Sequence, residues 1–231
     1  MKGTKKYLAY AVGEIVLVVI GILIAVSINN ANERSKEKRQ RIELAQKVYN
    51  QMIIDSTDLN KVLVENREKV EYFNMVLRQD LPAETIGKCA DCRWLITTNH
   101  TIANSDPKVK LWLDKAELGK DELSQELRRI EENYVEKLAI LKLFEESIVE
   151  ELKNNMQHLK DNYDWFGNFI SNNVCDADCE EYFANDPGFR NRVAYMELLL
   201  MRAYQIEVGN FNRAIGEHLT ILEDMLADAG K

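Results

Sequence analysis

Proline and glycine are scarce in this sequence, and their scarcity argues against the turn-rich architectures of β-sandwiches and barrels. Three prolines and ten glycines occur in 231 residues, whereas all-β domains use such residues at many of their turns. Charged residues make up 29% of the chain and hydrophobic residues 46%. This mixture favours long helices, each with one buried stripe. We therefore predict an all-α fold.

A surplus of basic residues is also missing. The net charge of -8 argues against a nucleic-acid-binding face, because phosphate binding needs clustered lysine and arginine. One basic cluster follows the long apolar run described below, and we interpret it as a juxtamembrane girdle that meets lipid headgroups. It consists of Arg34, Lys36, Lys38, Arg39 and Arg41.

Patterns that indicate catalysis are absent as well. His100, His158 and His218 stand alone, without the spacing of metal ligands. The sequence contains no glycine-rich phosphate loop and no nucleophile elbow. Adjacent glutamates such as Glu131 and Glu132 fall on helix faces where solvated charge is the default. We predict that the protein is not an enzyme and needs no metal or cofactor, and the sequence identifies no small-molecule ligand.

One long apolar run is present, over residues 7–28. As a helix it measures roughly 33 Å, close to the thickness of a hydrocarbon core. A cleaved signal peptide usually has a shorter apolar core and ends at a small-residue cleavage site, whereas this run ends in Ser27-Ile28-Asn29-Asn30. Residues 1–30 are therefore predicted to be an uncleaved transmembrane anchor whose partner is the lipid bilayer.

A carboxylate interrupts this run. Glu14, with Tyr10 one turn before it, would cost roughly 2 to 3 kcal/mol if it faced lipid in its ionised form. It could be protonated, snorkel to the interface, or meet a partner within a helix cluster. Small residues spaced for close helix packing favour the last alternative, and with it a homo-oligomer or a membrane-protein partner. These residues are Ala9, Gly13, Gly21 and Ala25.

The rest of the chain carries three long apolar stripes at helical spacing, and we predict an antiparallel bundle of long helices over residues 31–231. A strict alternation of three and four residues runs from Ile42 through Ala45, Tyr49, Met52, Ser56, Leu59, Leu63, Asn66, Val70 and Phe73 to Leu77. The second stripe starts near Asp121 and ends before Gly167, and the third starts at Asn185-Asp186-Pro187 and reaches Leu226. Ser105-Asp106-Pro107 predicts a shorter helix that ends near Gly119.

Four cysteines lie in connections near residues 79–93 and 168–185, as the pairs Cys89/Cys92 and Cys175/Cys179. Disulfides, a zinc site and free thiols all fit this spacing. If the bundle simply runs up, down and up, the pairs lie roughly 65 to 70 Å apart, and each can only bond locally. If residues 93–117 instead run back along the first helix, both pairs meet at one end, where a disulfide staple or a zinc site that joins them becomes possible.

The run YAVGEIVLVVIGILIAVSINNANERSKEKR (residues 10–39) resembles the opening of DUF6090, an uncharacterised family of bacterial single-pass membrane proteins. Residues 94–113 are similar to a helix-turn-helix insert in such proteins, and residues 185–193 to the start of their last helix. Members often have a tryptophan where Ala31 stands and a longer basic leader. The resemblance implies a cytoplasmic N-terminus and an extracytoplasmic bundle, but it supplies no catalytic residues.

The basic residues on the two sides of the apolar run give no clear answer about which side of the membrane the bundle lies on. Five basic residues follow the run, against Lys2, Lys5 and Lys6 before it, so a plain count favours a cytoplasmic bundle, although long domains cross largely regardless of charge. With the resemblance included, we expect a single-pass protein of the inner membrane with a periplasmic bundle. It would act as an oligomeric scaffold, sensor or accessory subunit of the cell envelope. The alternative is a thiol or zinc protein that uses the four cysteines.

Overall fold

The computed structural model describes residues 2–78, 81–98, 101 and 108–229, with side chains from residue 17 onward. Helices dominate these residues and no β-strand occurs among them, so the predicted all-α fold is confirmed. The helices are α1 (Lys2–Leu77), α2 (Ala83–Lys88), α3 (Ala90–Arg93), α4 (Lys108–Leu113), α5 (Glu122–Asn162), α6 (Phe166–Asn172), α7 (Ala177–Asn185), α8 (Pro187–Glu197) and α9 (Gln205–Ala229). A 3₁₀ turn (Trp94–Ile96) follows α3, and a π-helical segment (Leu198–Tyr204) joins α8 to α9.

The two longest helices, α1 and α5, run parallel to each other. Arg41 pairs with Asp121 at 3.1 Å near the start of the bundle, and farther along the Tyr134 hydroxyl donates to Asp55 at 2.8 Å. The connection between the two helices therefore carries the chain back to the start of the bundle. There Lys47 of α1 lies 3.8 Å from the ring centroid of Trp112 in α4. Of the two topologies open to the sequence, the one with a returning segment is the correct one.

The last rod, which comprises α8, the π-helical segment and α9, runs antiparallel to both long helices. Tyr204 donates to Glu145 at 2.8 Å, and farther along the rod His218 lies 2.6 Å from Glu126, which comes earlier in α5. Toward α1, Ser56 donates to Asn212 at 2.7 Å. The rod thus closes the bundle along its whole length.

The core follows the predicted stripes, with one systematic shift on α1. Half of the predicted seam is buried as expected, namely Ala45, Met52, Leu59, Asn66 and Phe73. Of the other six positions, Tyr49 and Leu77 are replaced in the core by the preceding residues Val48 and Val76, and Val70 is 40% exposed. Ile42, Ser56 and Leu63 are half-buried. The row from Ala45 to Phe73 keeps its seven-residue spacing, and the neighbouring helices pack on the side of this row where Val48 and Val76 lie.

Helix ends follow capping chemistry. Asp121 accepts a hydrogen bond from the Ser124 amide at 3.0 Å and so starts α5 where the sequence predicts it. Asp186 does the same for α8 with the Gly188 and Phe189 amides. The short helix α4 ends at Leu113, earlier than the predicted end near Gly119. Arg128 of α5 donates to the Leu118 and Gly119 carbonyls, so these carbonyls have hydrogen-bond partners although they lie outside a helix.

The N-terminal part of α1 stands outside the bundle. Every residue from 17 to 40 is exposed, including Leu17 at 72% and Leu23 at 62%. By length and composition, α1 is long and apolar enough near its N-terminal end to cross a membrane. The helix continues without a break through the predicted boundary between residues 30 and 31, so that boundary stays a prediction. We refer to residues 17–40 as the exposed segment.

Candidate functional site at the distal cap

The end of the bundle opposite the exposed segment is closed by short elements, residues 81–98 and 163–190, which we call the distal cap. Its two halves meet where α2 packs against α7. A Cβ atom at Gly87 would lie 2.7 Å from the carbonyl oxygen of Glu180, so glycine permits this close approach. Arg93 secures the contact, because its Nε donates to the Gly87 carbonyl at 3.0 Å and its Nη2 lies 3.5 Å from the Glu180 carboxylate.

Each half of the distal cap contains one disulfide. Cys89 is bonded to Cys92, and Cys175 is bonded to Cys179, with Cα separations of 5.3 and 5.2 Å. The structure thus pairs each of the four predicted cysteines with its near neighbour in sequence. Both disulfides flank the packed pair α2 and α7, so each staples one wall of the same contact.

An aromatic cluster fills the distal cap. Its rings stack or meet edge to face, with centroids between 4.5 and 6.0 Å apart, the range in which aromatic pairs attract. Phe183 lies at its centre and contacts four of the other rings. The members are Trp94, Tyr163, Trp165, Phe169, Tyr182, Phe183 and Phe189. The sequence analysis did not identify this cluster, because its rings come from separate short elements.

Polar groups link the distal cap to the long helices. The buried Asn155 of α5 donates to the Ile96 carbonyl at 3.0 Å and accepts from Arg192 of α8 at 2.8 Å. Nearby, the Tyr163 hydroxyl lies 3.4 Å from a carboxylate oxygen of Asp186. Burial raises the pKa of Tyr182 far above its usual range, with Tyr163 and Asp186 adding to the effect. Its hydroxyl therefore stays protonated at physiological pH.

A cleft of about 770 Å³ opens on the outer side of the distal cap. Its walls are the C-terminal end of α5, the turn into α6, and α7. Acidic, amide and aromatic side chains line it. The lining residues are Asn162, Tyr163, Asp164, Trp165, Asn168, Asp176, Asp178, Glu181, Tyr182, Asn185, Asp186 and Pro187. The sequence offered no pattern for this cleft, since it forms only when α6 and α7 fold back on α5.

The predicted membrane-assembly residues all fall on α1. The side chains of Tyr10, Gly13 and Glu14 lie outside the described part of the structure. Ala25 is exposed, and a Cβ atom added at Gly21 would meet no other atom within 4 Å. Their role in assembly therefore stays a prediction.

One buried carboxylate was missed by the sequence analysis. Glu126 is 0% exposed, and its carboxylate lies 2.6 Å from His218 and 3.0 Å from Arg129. A glutamate on a charged helix reads as solvated, and only the packing of α9 brings a histidine to it. Within the described ranges, no group of three or more His, Cys, Asp or Glu side chains could hold a metal ion.

Comparison with known proteins gives one match, to a family model that covers residues 14–105. No curated protein and no solved structure matches the chain. The match begins at Glu14 and includes the rest of α1 and the Cys89/Cys92 pair. Helix α5 and the last rod lie outside it. Over residues 14–105 the chain matches the sequence model of DUF6090, a family of unknown function, which confirms the resemblance seen in the sequence.

Proposed function

We propose that this chain is a single-pass protein of the bacterial inner membrane whose helical bundle lies outside the cytoplasm and serves as an oligomeric scaffold, sensor or accessory subunit without catalysis. The observation that carries the proposal is the exposed segment. Its apolar residues from Leu17 to Ile28 have no partner among the described residues. Such a continuous apolar surface is unfavourable in water and favourable in lipid.

The disulfides support the extracytoplasmic side. Bonds such as Cys89–Cys92 persist in oxidising compartments and are rare in the cytoplasm. The basic residues from Arg34 to Arg41 oppose this side, but a long following domain is translocated largely regardless of its charge. Because all four sulfurs are bonded in pairs, the structure does not favour the thiol or zinc alternative.

Oligomerisation is proposed from the apolar run itself. Glu14 in lipid needs protonation, the interface or a partner, and Gly21 with Ala25 leaves one helix face small enough for close approach. Blue-native electrophoresis tests this element. We expect Glu14→Leu and Gly21→Leu to lose an assembly that the wild type and the control Ile22→Leu form. Equal migration of all four proteins would contradict it.

Membrane placement is tested by flotation after an alkaline carbonate wash, and sidedness by an impermeant thiol reagent. The second experiment uses a variant that keeps Cys89 alone, with the other three cysteines changed to alanine. We expect the protein to float with vesicles and Cys89 to react in intact spheroplasts as fully as in lysed ones. Labelling only after lysis would place the bundle in the cytoplasm, and release into the carbonate supernatant would overturn the anchor.

A further inference from the structure

One side of α1 stays uncovered along the bundle as well as before it. Six exposed residues follow one another there at spacings of four and three, which is the repeat of a helix that packs along a second helix. The opposite side, with Val48, Met52 and Leu59, is buried in the bundle core. We call the exposed residues the outer row, and they are Gln46, Asn50, Ile53, Thr57, Asn60 and Val64. At its edge the Asn60 side chain accepts from Asn212 of the last rod at 2.9 Å, so the row runs beside the rod.

The outer row contains apolar surface and no charge. Ile53 is 44% exposed, Val64 is 55% exposed, and Ile54 beside the row is 53% exposed. The exposed charged residues of this stretch lie next to the row rather than in it, and they are Lys47, Asp58 and Lys61. In a parallel pair of identical helices each residue of the contact row meets its own equivalent, so a charge there would repel its copy. A row without charge is therefore suited to a second copy of the chain.

The outer row also lies on the same side of α1 as the small residues of the exposed segment. Thr57 follows Gly21 by 36 residues on an unbroken helix, which is about ten turns, so the two residues stand in line. Val64 stands in line with Ile28 by the same spacing. A Cβ atom added at Gly21 would meet no other atom within 4 Å, and in the proposed function this residue lies where two copies meet in lipid. Helices that meet there leave the membrane with their outer rows toward each other.

Pairing in lipid explains why a short apolar row is sufficient. Two joined copies are parallel, because each has its N-terminal end in the membrane, and the contact between their bundles is then effectively intramolecular. Before the row, the same side of α1 carries Arg39 and Glu43, one turn apart. Their opposite charges can pair between two parallel copies, which offsets the repulsion of each charge by its own equivalent.

We propose that two copies of this chain pack in parallel through the outer rows of their α1 helices, with the rest of each bundle on the outside of the pair. This inference rests on the proposed function and extends its contact in lipid to the bundle. It also fixes the handedness of the pair. Helices that cross at about 40° through small residues diverge outside the membrane, whereas a left-handed crossing near 20° keeps the two rows together.

Crosslinking of single introduced cysteines in membranes tests this arrangement. The four native cysteines are bonded in pairs, and a disulfide requires Cα atoms about 4.4 to 6.8 Å apart, so a crosslinked dimer reports close approach of the two new thiols. The variants are Ile28→Cys in the exposed segment, and Ile53→Cys and Val64→Cys in the outer row. The control is Leu143→Cys, because this leucine is 61% exposed on α5. The full chain is co-expressed with two different tags and oxidised with copper phenanthroline.

We expect dimers that carry both tags at Ile28→Cys, Ile53→Cys and Val64→Cys, about fivefold or more above the amount formed by Leu143→Cys. Crosslinking at Ile28→Cys alone would overturn this inference and leave the pairing in lipid intact. Absence of crosslinks at every position would overturn both proposals. Row crosslinks no stronger than those of Leu143→Cys would also overturn this inference, as would a product that joins the row to a different protein.

Discussion

The exposed segment precedes the bundle and the distal cap closes its far end, and the two differ in how much of their apolar surface is buried. In the exposed segment, residues such as Leu23 and Ile24 remain more than half exposed and need a partner outside the described chain. In the distal cap, Phe169 and Phe183 are each 1% exposed, and two disulfides hold the short elements around them. The difference shows that the cap is stable through its own contacts, whereas the segment depends on its surroundings.

The largest expected change in free energy comes from placing charged residues in the exposed segment, where they should prevent membrane insertion. In Ile20→Arg/Ile24→Arg, two arginines near the middle of the apolar run would add about 5 to 7 kcal/mol to the free energy of membrane insertion. We expect the variant to appear in the carbonate supernatant, as measured by flotation and immunoblotting.

The matched control is Val64→Arg, which changes a 55% exposed valine of the bundle part of α1. That variant should float as the wild type does. Retention of the double variant in carbonate-washed membranes would show that the exposed segment is not what holds the protein in lipid.

The aromatic cluster should give the next largest effect. Phe183→Ala removes a buried ring that contacts Trp165, Phe169, Tyr182 and Phe189, and we expect the free energy of unfolding to fall by about 3 to 5 kcal/mol. Denaturant unfolding followed by near-ultraviolet circular dichroism measures it.

Tyr195→Ala is its control, since this tyrosine is 48% exposed on α8 and should change stability by less than about 0.5 kcal/mol. Equal losses in the two variants would mean that the distal cap does not draw its stability from the cluster. Membrane flotation should be unaffected in both, because the two ends of the bundle are separate.

A smaller loss of stability is expected when the Cys175–Cys179 disulfide beside α7 is removed. Cys175→Ala/Cys179→Ala opens a short loop, and the loss of chain constraint corresponds to about 2 kcal/mol. Hydrogen exchange should rise in α7 and stay unchanged at the start of α5. Exchange that rises equally along the whole bundle would contradict a local staple.

The smallest expected change in stability concerns Lys69, which lies on α1 between the exposed segment and the distal cap. Burial lowers its pKa from 10.5 to about 8, against the opposing attraction of Glu65, and its Nζ has no hydrogen-bond partner. Between pH 8 and 10.5 the unfolded chain binds more protons at this residue than the folded one. The free energy of unfolding should therefore rise with pH across that window.

Lys69→Met should raise stability at pH 7 by about 1 kcal/mol, since Lys69 is only half-buried and solvent screens its charge. The same variant should lose the rise between pH 8 and 10.5. Thermal melts at three pH values test both points, with the exposed Lys61→Met as control. An unaltered pH profile in Lys69→Met would show that another group produces the rise.

The long elements were predictable because they depend on local chemistry. Asp121 and Asp186 bond the first amides of their helices, and Pro187 suits a first helical position, so the starts of α5 and α8 could be read directly. Within the last rod, Leu199 and Leu200 are both buried in succession, and the backbone widens there into a π-helical segment that helical spacing did not predict.

Contacts between distant parts of the chain could not be predicted from spacing. Glu126 and His218 are separated by 92 residues, and neither residue shows in the sequence that it meets the other. The returning connection was one of two topologies, and the sequence could not choose between them, because the choice rests on contacts such as Lys47 with Trp112. The distal cap was missed for the same reason, since its rings converge from both sides of α5.

Because α1 is continuous, its length sets the distance between the end of the predicted anchor and the distal cap. From residue 31 to Leu77 the helix rises roughly 70 Å at 1.5 Å per residue. In the proposed arrangement, the acidic cleft would stand that far above the bilayer surface, out of reach of lipid headgroups. A molecule that contacts the cleft must therefore come from the surrounding solution or belong to a structure that extends equally far from the membrane.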